Sequence, residues 1–439
     1  MEYWAIVMLF VVIAVLLLGY PVAFSLGAVA FLFGSIFLEF NDFSALPMRI
    51  WGIMTNFTLL AVPLFVFMGV LLEKSGLAEQ LLETMSELFG KLRGGMGVSI
   101  VVVGALLAAT TGVVGATVVT MTVIALPVML KHGYKTDLAT GSIAAAGTLG
   151  QIIPPSIILV LLGDVIGVPV GRLFMGAVTP GLILIVFFII YILVIAKIRP
   201  HYAPPAVASN RTTKELYLRV LKSLVPPLFL VVAVLGSIFF GFASPTESAA
   251  IGALGALVLA LIHKKLDLKN LQDSMLSTMK MTSMVFLILV GATAFGLVFR
   301  GMGGDDVVER LLTGLPGGEW GFLFVSMLLL FILGFFLDFI EITFIVVPIL
   351  APIAALMGID LMWFAILIAM NLQTSFLTPP FGFSLFYLKA AAPPDVRMQQ
   401  VYRGIAPFVI IQVVTLIVLI MFPGLTLWLP DLMDSLRFG

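Results

Sequence analysis

The 439-residue sequence predicts an all-α polytopic membrane protein made of two inverted-topology repeats, each with a re-entrant helical hairpin and a Pro-broken helix. Three observations carry that prediction. Apolar residues form 61% of the chain against 10% charged, and the mean hydropathy is +1.21. Lys and Arg sort to one side of the expected topology. Two stretches of the chain share the same proline and glycine intervals. The longest polar stretch, about residues 197–222, is too short to fold alone, so no soluble domain is expected. Cysteine is absent, which excludes disulfides and thiolate metal sites. Net charge is zero, and nothing in the composition points to nucleic acid.

The apolar runs give crossings near 4–19, 22–38, 51–73, 138–166, 173–195, 223–243, 248–263, 281–299, 361–391 and 405–428. The first is read as a retained span, because no basic region or small-residue cleavage site accompanies it. Two stretches remain, at about 95–130 and 320–356. Read as hairpins that enter and leave on one side, they place 18 of the 23 Lys and Arg on one face, with only Arg49, Arg172, Arg300, Arg310 and Arg437 on the other. The first face is therefore cytoplasmic and both termini point outward. Counting either hairpin as a single crossing destroys this sorting. The segment LAEQLLETMSELFGKL has apolar positions at helical spacing and reads as a helix along the cytoplasmic surface, or as a partner-binding helix.

The repeat follows from spacing. Pro127 to Gly133 is 6 residues and Gly133 to Pro154 is 21; Pro352 to Gly358 is 6 and Gly358 to Pro379 is 21. The halves, 1–198 and 223–439, are offset by about 225 positions and joined by a cytoplasmic linker, 199–222. Basic residues flank the first hairpin and acidic residues the second, so the two enter from opposite sides, as in many secondary transporters. The segments 138–166 and 361–391 are long for one crossing, and each is interrupted by a Pro pair. Each reads as two half-helices with an unwound middle. A kinked structural helix, with Ser and Thr satisfying the backbone, is the competing reading.

Polar residues cluster where the hairpins turn and the helices break. The first tip, AATTGVVGATVVT, holds Thr110, Thr111, Gly112, Gly115 and Thr117. The second, LGFFLDFIEITF, holds Asp338 and Glu341, which share a face if both are helical. Carboxylates at this depth are functional by default, the alternative being a carboxyl that locks the hairpin to a neighbour. The expected cation ligands are Thr110, Thr111, Gly112, Gly115, Gly147, Thr148, Asp338, Glu341, Asn371, Thr374 and Thr378. The expected solute contacts are Thr117, Gln151, Ser156, Gln373 and Ser375. Carbonyls, hydroxyls and a carboxylate suit Na⁺ as coupling ion; protons are the rival. No phosphate-binding loop, H-E-x-x-H or G-x-S-x-G occurs, so no enzymatic activity is expected.

The strings TTGVVGATVVTMTVIALPVMLKHGY, AAGTLGQIIPPSIILVLLGD, GFFLDFIEITFIVVPIL and NLQTSFLTPPFGFSLFYL resemble the large membrane subunit (DctM-like) of tripartite ATP-independent periplasmic (TRAP) transporters, over nearly the whole chain. The resemblance implies an elevator-type ion-transporter fold in the bacterial inner membrane, with hairpins and broken helices as a mobile domain. It also implies Na⁺ coupling, an organic-acid solute, a periplasmic substrate-binding protein and a small four-helix membrane subunit. No span precedes the first one, so that subunit is expected as a separate chain. Many members have Ser-Gly-Ser where this chain has Thr110, Thr111 and Gly112, which retains a hydroxyl. Two other classes remain open: a self-sufficient proton-coupled carrier or efflux protein, and an intramembrane enzyme or channel.

Overall fold

A computed structural model describes residues 1–112, 114–205 and 213–438. Arg211, counted above with the cytoplasmic cations, and part of the expected linker lie outside the described residues. The first half contains α1 (Glu2–Leu17), α2 (Val22–Phe37), α3 (Leu46–Met54), α4 (Ala61–Lys74), α5 (Leu77–Leu88), α6 (Gly95–Thr111), α7 (Val114–Lys131), α8 (Thr136–Thr148), α9 (Ile157–Ile166) and α10 (Val170–Ile198). The second contains α11 (Thr213–Phe239), α12 (Pro245–Ile262), α13 (Leu268–Gly301), α14 (Gly304–Thr313), α15 (Glu319–Leu333), α16 (Phe339–Ile345), α17 (Val347–Leu356), α18 (Leu361–Leu377), α19 (Phe383–Ala391), α20 (Met398–Met421) and α21 (Gly424–Phe438). No strand occurs among the described residues.

Several spans differ from the expectation. Among the described residues, six helices are long and apolar enough to cross a membrane, or up to eight if each of two bent pairs is one span. The stretch 51–73 is not one helix: it bends by 52°. Asn56 sits at that bend, its Oδ1 accepting from Thr58 N at 2.9 Å and its Nδ2 donating to Asp164 Oδ1 at 2.6 Å. A side chain that takes over backbone bonding ends a helix. The crossing placed at 405–428 stops at Met421 before Pro423, which cannot continue it, and α21 begins a new helix. Residues 213–222 of the expected linker are the start of α11. Residues 268–280, read as lying outside the 281–299 span, belong to the 34-residue α13.

The α5 segment is covered by its own chain. Its apolar face, including Leu77, Leu81, Leu82 and Met85, is buried, and the helix packs against α6 and α11. Arg219 of α11 reaches across to Glu83 at 3.3 Å and Glu87 at 3.4 Å. The start of the linker is also docked: Lys135 N donates to Tyr202 O at 3.0 Å and Gly94 N to Ala203 O at 3.1 Å. Lys135 Nζ and Arg199 Nη1 both donate to the Tyr202 hydroxyl at 3.0 Å, and these hydrogen bonds pull the phenol below its ordinary pKa. Tyr202 and Ala203 together thus tie the end of α10 to both ends of the first hairpin.

Elements recur in the same order in the two halves: α6 with α15, α7 with α16–α17, α8 with α18, α9 with α19, and α10 with α20. The Pro154–Pro155 and Pro379–Pro380 peptides are both cis, 225 positions apart. The halves interlock rather than sit side by side. Helix α19 packs on α7 of the first hairpin, and α9 packs on α16 and α17 of the second. Helix α20 lies against α8, and α10 against α18.

The first halves of both broken helices are enclosed. Every residue from Leu138 to Thr148, and from Met362 to Leu377, is buried. Small residues make that possible, as in other membrane helix pairs. A Cβ on Gly404 would lie 1.8 Å from Asp137 O, one on Gly141 would lie 2.2 Å from Gly404 O, and one on Gly104 would lie 2.6 Å from Ala146 Cβ. Gly404→Ala is therefore expected to lower stability by about 1–3 kcal/mol. Thermal unfolding in detergent checks this against Gly52→Ala, whose Cβ would meet nothing within 4 Å.

Candidate functional site

The first tip forms because α6 ends at Gly112, whose φ of +60° reverses the chain at little cost. The Thr110 and Thr111 hydroxyls both donate to Leu107 O at 2.9 Å, satisfying the last turn of α6. Across the tip, the hydroxyls of Thr111 and Thr117 lie 2.7 Å apart. Four elements crowd this turn. A Cβ on Gly69 of α4 would lie 2.5 Å from Thr111 Cα, and one on Gly150 would lie 3.0 Å from Ala108 O. Gly112 faces Ile157 at the start of α9, and a Cβ on Gly115 would lie 3.1 Å from the Tyr387 ring of α19.

The break between α8 and α9 is closed locally. Ser156 Oγ donates to Gln151 O at 2.8 Å and Thr148 Oγ1 to Ala145 O at 2.9 Å. Ser156 therefore bonds backbone that the Pro pair releases, as the competing structural reading required of Ser and Thr. In the second half the same task falls to Ser384, absent from the sequence-derived set, whose Oγ donates to Phe376 O at 3.0 Å. Its position just past a Pro pair, as for Ser156, was the available signal.

The second tip is built differently. Asp338 is not on a helical face with Glu341; it is the N-cap of α16. Its Oδ1 accepts from Phe339 N at 2.7 Å, and Glu341 Oε2 accepts from Asp338 N at 3.2 Å. This is a capping box, in which two carboxylates satisfy the amides at a helix start. The shared-face expectation fails because Asp338 has extended backbone, φ −71° and ψ 158°. Along α18, Asn371 Nδ2 donates to Met327 O at 2.7 Å, and the hydroxyls of Thr374, Ser375 and Thr378 bond to carbonyls of their own segment. Ser375 lies against Gly334, where a Cβ would approach its Oγ to 2.1 Å. Gln151 and Gln373 are buried, and neither amide atom of either has a partner among the described residues. Gln412 of α20, not among the expected residues, shares that condition.

A cavity of about 450 Å³ lies where the tips meet. Gly115 and Asp338 of the hairpins line it, with Phe339 and Tyr387 beside them. The opposite wall is apolar, with Val66 of α4 and Met284 of α13. The structure thus brings the first tip, the second tip and α19 to one space. Gln151, Asn371, Gln373 and Thr374 lie behind that surface, within the packed helices. The cavity offers one carboxylate, a phenol and an apolar wall, which suits a small solute held beside a cation. Asp338→Asn keeps volume and the cap acceptor but removes the charge. Under the sequence-derived expectation that Na⁺ binds at this tip, the substitution weakens stabilisation by Na⁺ in a thermal-shift titration at least about tenfold, while the apo unfolding temperature changes little.

Residues 9–425 match the model of the tripartite ATP-independent periplasmic transporter, DctM component. The chain is 30% identical to the C4-dicarboxylate TRAP transporter large permease protein of Pseudomonas aeruginosa, over 88% of this chain and 89% of that one. It is 30% identical to the sialic acid TRAP transporter large permease protein of Vibrio cholerae, covering 96% and 97%. It is 31% identical to the ectoine/5-hydroxyectoine TRAP transporter large permease protein of Ruegeria pomeroyi, covering 96% and 98%. In fold it is similar to the YdaH transporter of Alcanivorax borkumensis, with a TM-score of 0.63 at 13% identity over 95% and 98% of the chains. These relatives are transporter subunits and not enzymes. With 61% apolar residues in its sequence, helices long and apolar enough to cross a membrane, and a family match spanning nearly its whole length, the chain belongs to the DctM-component family of TRAP transporters, as a multi-pass large permease subunit.

Proposed function

We propose that the chain imports an organic acid by Na⁺-coupled elevator movement, in a bacterial inner membrane. A periplasmic binding protein delivers the solute, and a small four-helix membrane subunit braces the complex. The observation that carries this reading is a cavity shared by both hairpin tips and walled on its far side by α4 and α13. Hairpins and broken helices then form the moving unit; α1–α4 and α11–α13 form the scaffold. Asp338 and the tip oxygens of Thr110, Thr111 and Thr117 supply hard ligands for Na⁺. The named substrates of relatives, C4-dicarboxylate and sialic acid among them, support a carboxylate solute.

The direction of opening follows from the charge sorting. The cavity is lined by Val119, Tyr387 and Met281, on segments that lead to Lys131, Lys389 and Lys280. By the positive-inside rule that side is cytoplasmic, so the cavity opens inward. The apolar wall lets the moving unit slide without breaking many polar bonds. Two polar contacts among the described residues join scaffold to moving unit: Thr120 Oγ1 of α7 donates to Glu73 Oε1 of α4 at 2.6 Å, and Asn56 Nδ2, between α3 and α4, donates to Asp164 Oδ1 of α9 at 2.6 Å.

Uptake into proteoliposomes carrying the chain with its small subunit, in the presence of the binding protein, tests this reading. Accumulation is expected under an inward Na⁺ gradient and not under a proton gradient alone, and it is expected to vanish without the binding protein. Uptake that ignores Na⁺ but follows protons would replace the coupling ion, with the Asp338–Glu341 pair as the titrating groups.

A further inference from the structure

A second cavity, of about 290 Å³, lies between α13 and the second arm of the second hairpin. Arg300, Asp305, Asp164 and Thr293 are its charged and hydroxylated lining, with Ile345 of α16 among the apolar residues. Arg300 acts on Asp305 through space, but among the described residues it closes no ion pair with Asp305 or Asp164 within 4.0 Å. Asp164 accepts from Asn56 at 2.6 Å. Asp305 occupies the first turn of α14, where helix amides favour a carboxylate. Arg300 gives its Nε–H to Gly296 O at 3.1 Å, and among the described residues it makes no ion pair within 4.0 Å. Its two terminal nitrogens keep their donors, in the planar fork that matches a carboxylate.

Comparison of the halves sharpens the point. Arg300 is the penultimate residue of α13 and Glu73 the penultimate residue of α4, 227 positions earlier. Glu73 is held by Thr120, whose counterpart 225 positions later is Ile345. The first-half gap is therefore bridged by a hydrogen bond, whereas at its second-half counterpart Arg300 and Ile345 line a cavity together with Asp164 and Asp305. Arg300 is also one of five cations that the topology assigns to the outer face.

We propose that this cavity is a receiving site for the carboxylate of an incoming organic anion, with Arg300 as its anchoring residue. It lies on the outer side of the second tip, opposite the cavity that opens inward. A solute released from a binding protein meets Arg300 before it reaches the tips. This proposal rests on the reading of the chain as an importer of organic anions, but its electrostatic content is measurable without transport.

The chain has no cysteine, so Thr293→Cys gives a single reporter inside the cavity. In the reconstituted complex, the rates of its modification from the outside by an anionic (sulfonatoethyl) and a cationic (trimethylammonioethyl) methanethiosulfonate are compared. The anionic reagent is expected to react at least about tenfold faster relative to the cationic one than in the same protein carrying Arg300→Gln, since a charged cleft concentrates counter-ions. Succinate is expected to slow the reaction when Arg300 is present and not when it is Gln. Arg300→Lys is expected to keep the rate preference and lose most of the succinate protection, because it retains charge without the fork. An unchanged rate ratio on Arg300→Gln overturns the site, and absence of succinate protection overturns its assignment to carboxylates. Loss of Na⁺-driven uptake with this readout intact would count against the coupling scheme and leave the site standing.

Discussion

The structure depends on one constraint: backbone freed at membrane depth must find partners within the protein. Two Pro pairs interrupt helices that are otherwise apolar, and each break is closed by a serine just beyond it, Ser156 to Gln151 O and Ser384 to Phe376 O. Enclosure completes the solution. Helices α8 and α18 are buried almost throughout, and at the second break, where Pro380 and Phe381 are exposed, the Tyr402 hydroxyl donates to Pro380 O at 3.0 Å. The glycines at the α8–α20 crossing allow this, since a side chain at Gly141 or Gly404 would collide with a carbonyl group.

Enclosure also explains why the halves interlock. Helix α9 leaves the first break and packs on the second hairpin, and α19 leaves the second break and packs on the first. Each tip is thus held by a half-helix from the other half of the chain. A cation or solute at one tip touches elements that bear on both, which gives a physical route for coupling. Against this interlocked body, α4 and α13 present mainly apolar side chains to the shared cavity. The proposed division into a moving unit and a scaffold follows that boundary.

Much of this was legible in the sequence because it rests on residues with few conformational options. Proline pairs, tip glycines and intramembrane carboxylates marked the hairpins and breaks, and their spacing aligned the halves. Three kinds of feature were not legible. The bend at Asn56 depends on a bond to Asp164, 108 residues away, which local pattern cannot show. The role of Asp338 changed because a capping box and a shared helical face have the same three-residue spacing. The cavity wall of Val66, Met284 and Tyr387 consists of residue types that read as ordinary membrane core until the tertiary packing places them. Hydroxyls were found at the right depth, yet most bond their own backbone, as Thr374, Ser375 and Thr378 do.

The central claim is that hairpins and broken helices move as one unit against α4. The Glu73–Thr120 contact crosses that boundary, and cysteines are otherwise absent. A Glu73→Cys/Thr120→Cys double variant can therefore be cross-linked across the gap, with Trp4→Cys/Phe37→Cys, whose parent rings lie 5.2 Å apart within the scaffold, as the control. Solute uptake is measured before cross-linking, after it, and after reduction. The account predicts that the cross-gap link stops uptake, that reduction restores it, and that the scaffold link leaves it running. Undiminished uptake with the cross-gap link fully formed would contradict the account.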